Sequence, residues 1–182
     1  MTIVTEVSKE GARGWVRVWD PVVRVLHWLL VTGVAATFLT QEDKFVHEPA
    51  GYAVLGLLLA RIVWGFIGPT HARFADFVKG PTTVVRYLRD VAGSRACRYL
   101  GHNPAGGAMI VALILVASLT GVTGWLRETD RFFGVGWVEN LHSIGADLLL
   151  ALIVLHILGV AVSSILHREN LVASMLTGRK RH

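Results

Sequence analysis

The chain has 182 residues, of which 53% are apolar and 17% charged, and it carries a formal net charge of +5. This apolar excess lies far above that of soluble domains and indicates a membrane protein. Because the basic residues lie between long apolar runs, the charge predicts contact with a membrane surface and not with a nucleic acid. The single cysteine, Cys97, excludes an intrachain disulfide, a cysteine-ligated iron–sulfur cluster and CxxCH haem attachment.

Four apolar stretches are long enough to cross the roughly 30 Å of hydrocarbon in a bilayer. They run over residues 22–40, 50–67, 104–126 and 141–166, and residues 68–103 form the longest loop. The first stretch could instead be the apolar part of a cleaved signal peptide, with Ala35 and Ala36 near the cleavage site. We favour a span because roughly twenty residues precede it. The sequence therefore predicts one all-α membrane domain, a bundle of four transmembrane helices.

The lysines and arginines gather on one side of these spans. Of the 18 lysines and arginines, 14 lie before the first span, in the long loop or after the last span. The other side has Lys44, Arg127 and Arg131, and Arg61 lies within the second span. By the positive-inside rule, both termini and the long loop are expected in the cytoplasm.

Two basic segments outside the spans are also predicted to have structure. A short amphipathic helix is expected from Pro81, which suits a first helical position, to a stop at Gly93. It either lies on the anionic leaflet or is a solvated connector. Residues 169–182 are interpreted as a second basic segment at the membrane interface.

Histidines inside the apolar stretches are the feature that points to a function, because polar rings in a bilayer are costly. His142 and His156 are fourteen residues apart on the fourth span, close to four helical turns. Both rings therefore lie on nearly the same face, with a rise of roughly 21 Å between them. One helix presents an imidazole near each leaflet.

Depth pairs these rings with two histidines on other spans. His27 lies near the cytoplasmic start of the first span and pairs with His156, whereas His47 and His142 both lie at the periplasmic side. Two such pairs predict two b-type haems stacked across the membrane, each with both axial positions filled and suited to electron transfer. A zinc site fits less well because zinc prefers four clustered ligands.

Several glycines lie at the depths of these histidines. They would let a porphyrin approach the backbone, or they serve ordinary helix packing, and the sequence does not separate the two. The glycines are Gly107, Gly121, Gly145 and Gly159.

Other polar residues near the cytoplasmic side are weaker candidates. Arg24, one turn before His27, is predicted to pair with a haem propionate, and Arg61 either does the same or extends to the membrane surface. Three histidines are candidates for a quinone head group or the propionates, or are solvated interface residues. These are His71, His102 and His167.

Asp147 is the one acidic residue within a span that has no obvious partner. It lies about 140° around the helix from His142. We expect it to face another helix or a partner subunit, and a proton relay is the alternative.

Several segments resemble the bacterial di-haem membrane cytochromes b, the group that includes cytochrome b561 and the b-type subunits of nickel–iron hydrogenases. The resemblance rests on their order and spacing. The segments are VWDPVVRVLHWLL (18–30), HEPAGYAVLGLLLARIVWGFIGP (47–69), HARFADFVKGP (71–81), LGHNPAGG (100–107) and LHSIGADLLLALIVLHILGVAVSSILHRENLVASMLTGRK (141–180).

The resemblance implies a four-helix haem bundle in the bacterial inner membrane that passes electrons between quinone and a redox partner. Its axial histidines map onto His27, His47, His142 and His156. Hydrogenase-type members usually have a further helix, so the helix count favours the shorter branch. The expected partner is ubiquinone or menaquinone together with a periplasmic cytochrome c or reductase. Rival functions are superoxide:quinone oxidoreductase and a permease or scaffold without haem.

Overall fold

A computed structural model describes residues 14–181, which form helices and two three-residue strands. Lys9 and Arg13, which entered the charge count above, and His182 lie outside the described residues. In chain order the elements are β1 (Trp15–Arg17), α1 (Pro21–Leu39), α2 (Lys44–Ile67), α3 (Phe74–Phe77), α4 (Pro81–Ala92), α5 (Pro104–Arg127), α6 (Gly136–Leu166), α7 (Leu171–Thr177) and β2 (Arg179–Arg181).

Four of the helices, α1, α2, α5 and α6, are long and apolar enough to cross a membrane. Two of these helices begin earlier than the apolar stretches predicted as spans. Helix α2 begins at Lys44 instead of residue 50, and α6 begins at Gly136 instead of residue 141. The apolar pattern marks only the part of a helix in hydrocarbon, whereas the hydrogen-bonded helix continues into the interface.

Side chains next to the spans define where the helices begin. Asp20 accepts hydrogen bonds from the backbone N–H groups of Val22 and Val23 at 3.0 and 3.1 Å, and Asn103 accepts one from Gly106 at 2.7 Å. A proline follows each of these two caps and suits the first helical turn. Asp20 also accepts a hydrogen bond from Trp64 Nε1 at 3.2 Å, which ties the start of α1 to the end of α2.

The spanning helices pack as two hairpins. Helix α1 packs on α2, α5 packs on α6, and α2 packs on α5. Within the described residues, α6 does not pack closely against α1 or α2. The bundle is therefore least tightly packed where α6 faces the first hairpin, which is where the predicted histidine pairs meet.

An apolar core joins the four helices at mid-depth. Its buried members are Val54, Leu58, Ala117 and Leu149, surrounded by partly buried residues of α1, α5 and α6. Leu149 is seven residues from both His142 and His156, so the core lies between the two histidine levels.

The first and last described segments meet at one end of the bundle, which we call the terminal face (β1, α7, β2 and the loop 68–103). Strand β1 pairs antiparallel with β2, Trp15 opposite Arg181. The predicted interfacial segment after residue 168 is thus a short helix and a strand. Periodicity could not predict this pairing, because its partner strand lies at the other end of the chain.

The short helix predicted in the loop is α4, which begins at Pro81 and ends before Gly93. It packs against α5 and buries Tyr87, whereas Val85 and Leu88 stay exposed. It therefore carries an unpaired apolar strip beside the spans, as expected for a helix at the membrane interface.

Candidate functional site

The rings of His47 and His142 face each other at the end of the bundle opposite the terminal face. Their centroids are 6.3 Å apart and their planes are nearly perpendicular, at 79°. His47 lies in the first turn of α2, and His142 lies two turns into α6. The structure therefore brings together the two histidines that depth predicted to be a pair.

Backbone carbonyls hold both rings in one orientation. His47 Nδ1 donates to the carbonyl oxygen of Thr37 at 2.9 Å, and His142 Nδ1 donates to that of Thr120 at 2.9 Å. Because a carbonyl oxygen only accepts, each Nδ1 carries a proton, and in the neutral imidazole each Nε2 then keeps a free lone pair. A metal-ligating imidazole has this arrangement, with its other ring nitrogen bonded to a carbonyl or carboxylate.

Close packing of α5 against α6 fixes the position of the His142 ring. A Cβ atom added at Gly124 would lie 3.0 Å from His142 Cε1 and 3.2 Å from its Nδ1. The absence of a side chain there lets the ring lie directly against α5. Sequence analysis missed Gly124, Thr37 and Thr120, since the signal is a backbone group or a missing side chain.

The second predicted pair lies nearer the terminal face. His27 and His156 are partly buried and lie within electrostatic reach of each other, and Arg61 is also within reach of His27. The ring of Trp28 lies edge-on to that of His27, with centroids 5.3 Å apart. His27 lies on α1 and His156 on α6, the two spans that do not pack closely together.

Buried polar atoms without a partner gather in this half of the bundle. Of the five such atoms in the described residues, four lie there: Arg24 Nε, Trp28 Nε1, Arg61 Nη1 and His102 Nδ1. The fifth, Ser118 Oγ, lies in the middle of α5. Nearly all buried donors in proteins are hydrogen-bonded, so this group of orphans indicates a ligand that supplies acceptor oxygens. A haem with its propionates is such a ligand, and Arg24, Trp28 and Arg61 together with His27 and His156 fit it.

Arg61 lies inside the protein and does not extend to the surface. It is 7% exposed, and its guanidinium lies 5.5 Å from the centre of the Phe74 ring. Arg24 reaches the carbonyl oxygen of Leu176 in α7. The two arginines therefore connect the spans to the terminal face beside the His27–His156 pair.

His102 lies two residues before α5 and is partly buried, with its Nδ1 atom shielded from solvent. Its ring lies 4.5 Å from that of Trp19 and 4.7 Å from that of Phe77, measured between centroids. Burial, reinforced by the positive charge of Arg61 and then of Lys180, lowers the pKa of His102 to about 3. The imidazole is therefore neutral at physiological pH.

A pocket of about 370 Å³ opens at the terminal face beside His102. His71 lines it too and has φ of 73°, a left-handed conformation that is uncommon for histidine. Sequence analysis missed Lys79, Arg98 and Tyr99 in its wall, because they come from distant parts of one irregular loop. His167, at the end of α6, does not line this pocket.

Helix packing accounts for three of the four candidate glycines. Added Cβ atoms would meet the Phe77 backbone at Gly107, the Leu55 side chain at Gly121 and the Thr120 side chain at Gly145. Only Gly159 has open space beside it.

In the described part of the chain, no group of three or more His, Cys, Asp or Glu residues is placed to hold a metal ion.

Known proteins resemble the chain over almost its whole length. Proteins named "Probable Ni/Fe-hydrogenase B-type cytochrome subunit" match from Bradyrhizobium diazoefficiens (23% identical, 98% of this chain and 92% of the relative) and Rhizobium leguminosarum bv. viciae (24%, 98% and 95%). One of the same name from Azotobacter vinelandii is 27% identical over 95% of this chain and 90% of its own. Each of these relatives is named as a subunit of a Ni/Fe-hydrogenase. No solved structure matches the chain.

The family model described as prokaryotic cytochrome b561 covers residues 18–178. Together with the four apolar helices, this match makes the protein a membrane cytochrome of the b type, which carries haem b and acts in electron transfer. The chain belongs to the prokaryotic cytochrome b561 family.

Proposed function

We propose that this cytochrome holds two haems b and transfers electrons between the quinone pool and a redox protein on the other side of the membrane. His47 and His142 would hold one haem, and His27 and His156 the other. The observation that carries the proposal is the facing pair His47–His142, whose Nδ1 atoms are both bound to carbonyl oxygens. Haem b held in this way supplies one-electron chemistry without an open coordination position.

The protein's own part is to orient the ligands and to exclude water. The carbonyl oxygens of Thr37 and Thr120 hold the Nδ1 side of each ring and would leave Nε2 free to bind the iron. The apolar core around Leu149 separates the two histidine levels and keeps water from joining them.

Charge at the second pair supports a role in binding carboxylates. Arg24 and Arg61 carry buried guanidinium nitrogens without acceptors. The planar fork of an arginine suits a carboxylate, and these two would bind the propionates of the haem held by His27 and His156. Without such an anion, the buried charge of Arg61 would be costly.

The pocket beside His71 and His102 is the proposed site for the quinone head group. His102 is neutral, so it suits an uncharged ring, to which its imidazole offers both a donor and an acceptor nitrogen. His71 is the residue at the pocket that would exchange protons with water. The pocket lies on the side that the lysine and arginine count assigns to the cytoplasm.

The redox partner would then dock at the other face, beside His47 and His142. The named relatives are hydrogenase subunits, so a hydrogenase is one such partner, and a periplasmic cytochrome c or another reductase is the alternative. The basic residues there, Lys44, Arg127 and Arg131, have acidic neighbours. That mixture does not favour steering of a small anion such as superoxide.

The test is anaerobic stopped-flow reduction of the purified holoprotein by a short-chain ubiquinol or menaquinol analogue. We expect rapid reduction in the wild type. A slowing of at least about tenfold is expected in His71→Ala and His102→Phe, with unchanged haem content and full reduction by dithionite. His167→Ala is the matched control and should behave as the wild type. Reduction by superoxide but by neither quinol would contradict the proposed function.

A further inference from the structure

The outward side of α6 carries polar groups where a membrane protein normally shows only apolar ones. Four exposed residues lie there: the polar Asn140, Ser143 and Asp147, and the small Ala151. Their spacing of three or four residues places them on one stripe, which we call the outer α6 face. The opposite side of the helix buries Gly145 and Leu149 against the rest of the bundle.

Asp147 lies well within the membrane-spanning part of the bundle. Gly145 packs against Thr120 of α5, and the two helices run antiparallel. Asp147 is therefore level with a residue about nine positions before Arg127, the last residue of α5. Nine helical residues span roughly 14 Å along the axis, so the carboxylate lies about that distance deeper in the membrane than the charged end of α5.

Nothing in the described part of the chain neutralises this carboxylate. The ion pairs there join Arg73 with Asp76, and Glu169 with Arg98 and Lys180. Asp147 makes no hydrogen bond or ion pair within residues 14–181. An ionisable group facing lipid is costly and normally has a partner of opposite charge.

We propose that the outer α6 face binds a membrane-spanning helix of another polypeptide, which carries a lysine or arginine opposite Asp147. Charge complementarity supplies the specific contact. Ser143 and Ala151, one turn on either side of Asp147, are small enough for the two backbones to approach closely, as at many helix contacts in membranes. Asn140 offers a further hydrogen bond nearer the membrane surface.

A second copy of this chain fits the face poorly. A two-fold contact would place the outer α6 face against itself, with one Asp147 opposite the other. The four residues of the face include no cation that could separate the two carboxylates. The inference concerns a partner of different sequence and does not depend on how many haems the chain holds.

The test uses energy transfer in phosphatidylcholine vesicles between the holoprotein, labelled at the exposed Cys97, and a synthetic leucine–alanine membrane helix. One version of the helix carries a single lysine at the depth of Asp147 and the other carries alanine there. We expect the lysine version to bind at least about tenfold more tightly than the alanine version, and Asp147→Asn to remove this difference. Asp147→Glu should retain it.

The matched control moves the carboxylate to another lipid-facing surface. The double variant Asp147→Leu and Leu115→Asp places it on α5, where Leu115 is 64% exposed. We expect this variant to bind the lysine helix no better than Asp147→Leu alone. The proposal would be overturned if the wild type bound the two helices equally well. It would also be overturned if the double variant bound the lysine helix as tightly as the wild type does. Self-association of the wild type that Asp147→Asn abolishes would also overturn it.

Discussion

Two threonines position the candidate ligands with their carbonyl oxygens, not with their hydroxyl groups. Thr37 and Thr120 each accept a hydrogen bond from a histidine Nδ1. Such contacts fix the tautomer and the ring orientation, and they raise the basicity of the nitrogen that faces the metal. Any substitution that keeps the helix straight leaves these carbonyls in place, so perturbing the site requires a change in what packs against the ring.

Gly124→Val is such a change. Its Cβ would lie 3.0 Å from the His142 ring, which must then move away from α5 and lose its bond to Thr120. We expect the affinity of the His47–His142 site for haem to fall by about 10- to 100-fold. Haem titration of the purified protein measures this.

Gly56→Val is the matched control, since an added side chain there meets nothing within 4 Å. It should bind haem as the wild type does. Equal haem affinity in the Gly124 variant would show that the observed ring position is not the one that holds the cofactor.

His102 predicts a dependence of stability on pH. Its pKa is about 3 in the folded protein, against 6.5 for an unperturbed histidine. Between these values the unfolded chain binds a proton that the folded one does not, so acidification from pH 7 toward pH 4 lowers the free energy of unfolding. Tm in detergent should therefore fall with pH more steeply in the wild type than in His102→Gln.

The groups that face His102 are Arg61, Lys180, His71 and His156, and all are present in both proteins. Their contribution cancels when the slope of Tm against pH is compared between the wild type and His102→Gln. The difference in Tm at pH 8 gives the effect of the substitution on packing alone. Parallel slopes would contradict the account of a buried, neutral His102.

At the scale of elements, the terminal face is held by a charge network that includes the buried Lys180, the partly buried Glu169 and the exposed Arg98. Glu169 bonds Arg98 at 3.1 Å and Lys180 at 3.6 Å, and the Lys180 ammonium lies 5.6 Å from the centre of the Trp19 ring. Lys180 is 3% exposed. These contacts fasten β2 to the loop before α5 and cover His102.

Glu169→Gln leaves two cations close together without their counter-charge. Because Lys180 is buried but Arg98 is exposed, we expect a cost of about 1 to 3 kcal/mol, between the values for surface and buried pairs. For a chain of this length that corresponds to a drop in Tm of roughly 3 to 10 °C. Thermal unfolding in detergent, followed by circular dichroism, measures it.

Arg73→Gln serves as the control because it breaks the more exposed pair with Asp76. Surface pairs contribute less than about 1 kcal/mol, so little change in Tm is expected. Similar drops in the two variants would show that the Glu169 network is not a buried support.

The sequence predicts the four spanning helices well, because hydropathy is a local property, and helical spacing is also local, so it assigns the four histidines to two levels. It predicts α4 for the same reason, from Pro81 and Gly93. It does not predict the β1–β2 pair, the stacking of Trp19 and Phe77 on His102, or the carbonyl partners of the rings. Each of these depends on which distant segments meet, and no local pattern records that.

For the whole molecule, the distribution of lysines and arginines predicts that the terminal face lies in the cytoplasm. Cys97 lies in the loop on this face and is exposed. A membrane-impermeant maleimide should therefore label Cys97 in inverted vesicles and not in intact spheroplasts.

A Cys97→Ser and Arg131→Cys variant, with its thiol at the other face, should show the opposite pattern. Labelling of Cys97 from outside intact spheroplasts would reverse the proposed orientation and exchange the quinone and partner sides.

The four-helix bundle is proposed to hold two haems, each between one of two stacked pairs of histidines. The most direct measurement is the haem content per polypeptide of the freshly purified protein, together with its optical and paramagnetic resonance spectra. Two haems per chain are predicted, both six-coordinate and low-spin, with one lost in His142→Ala and the other in His156→Ala. One haem per chain in the wild type, or a high-spin signal with an open position, would contradict the account.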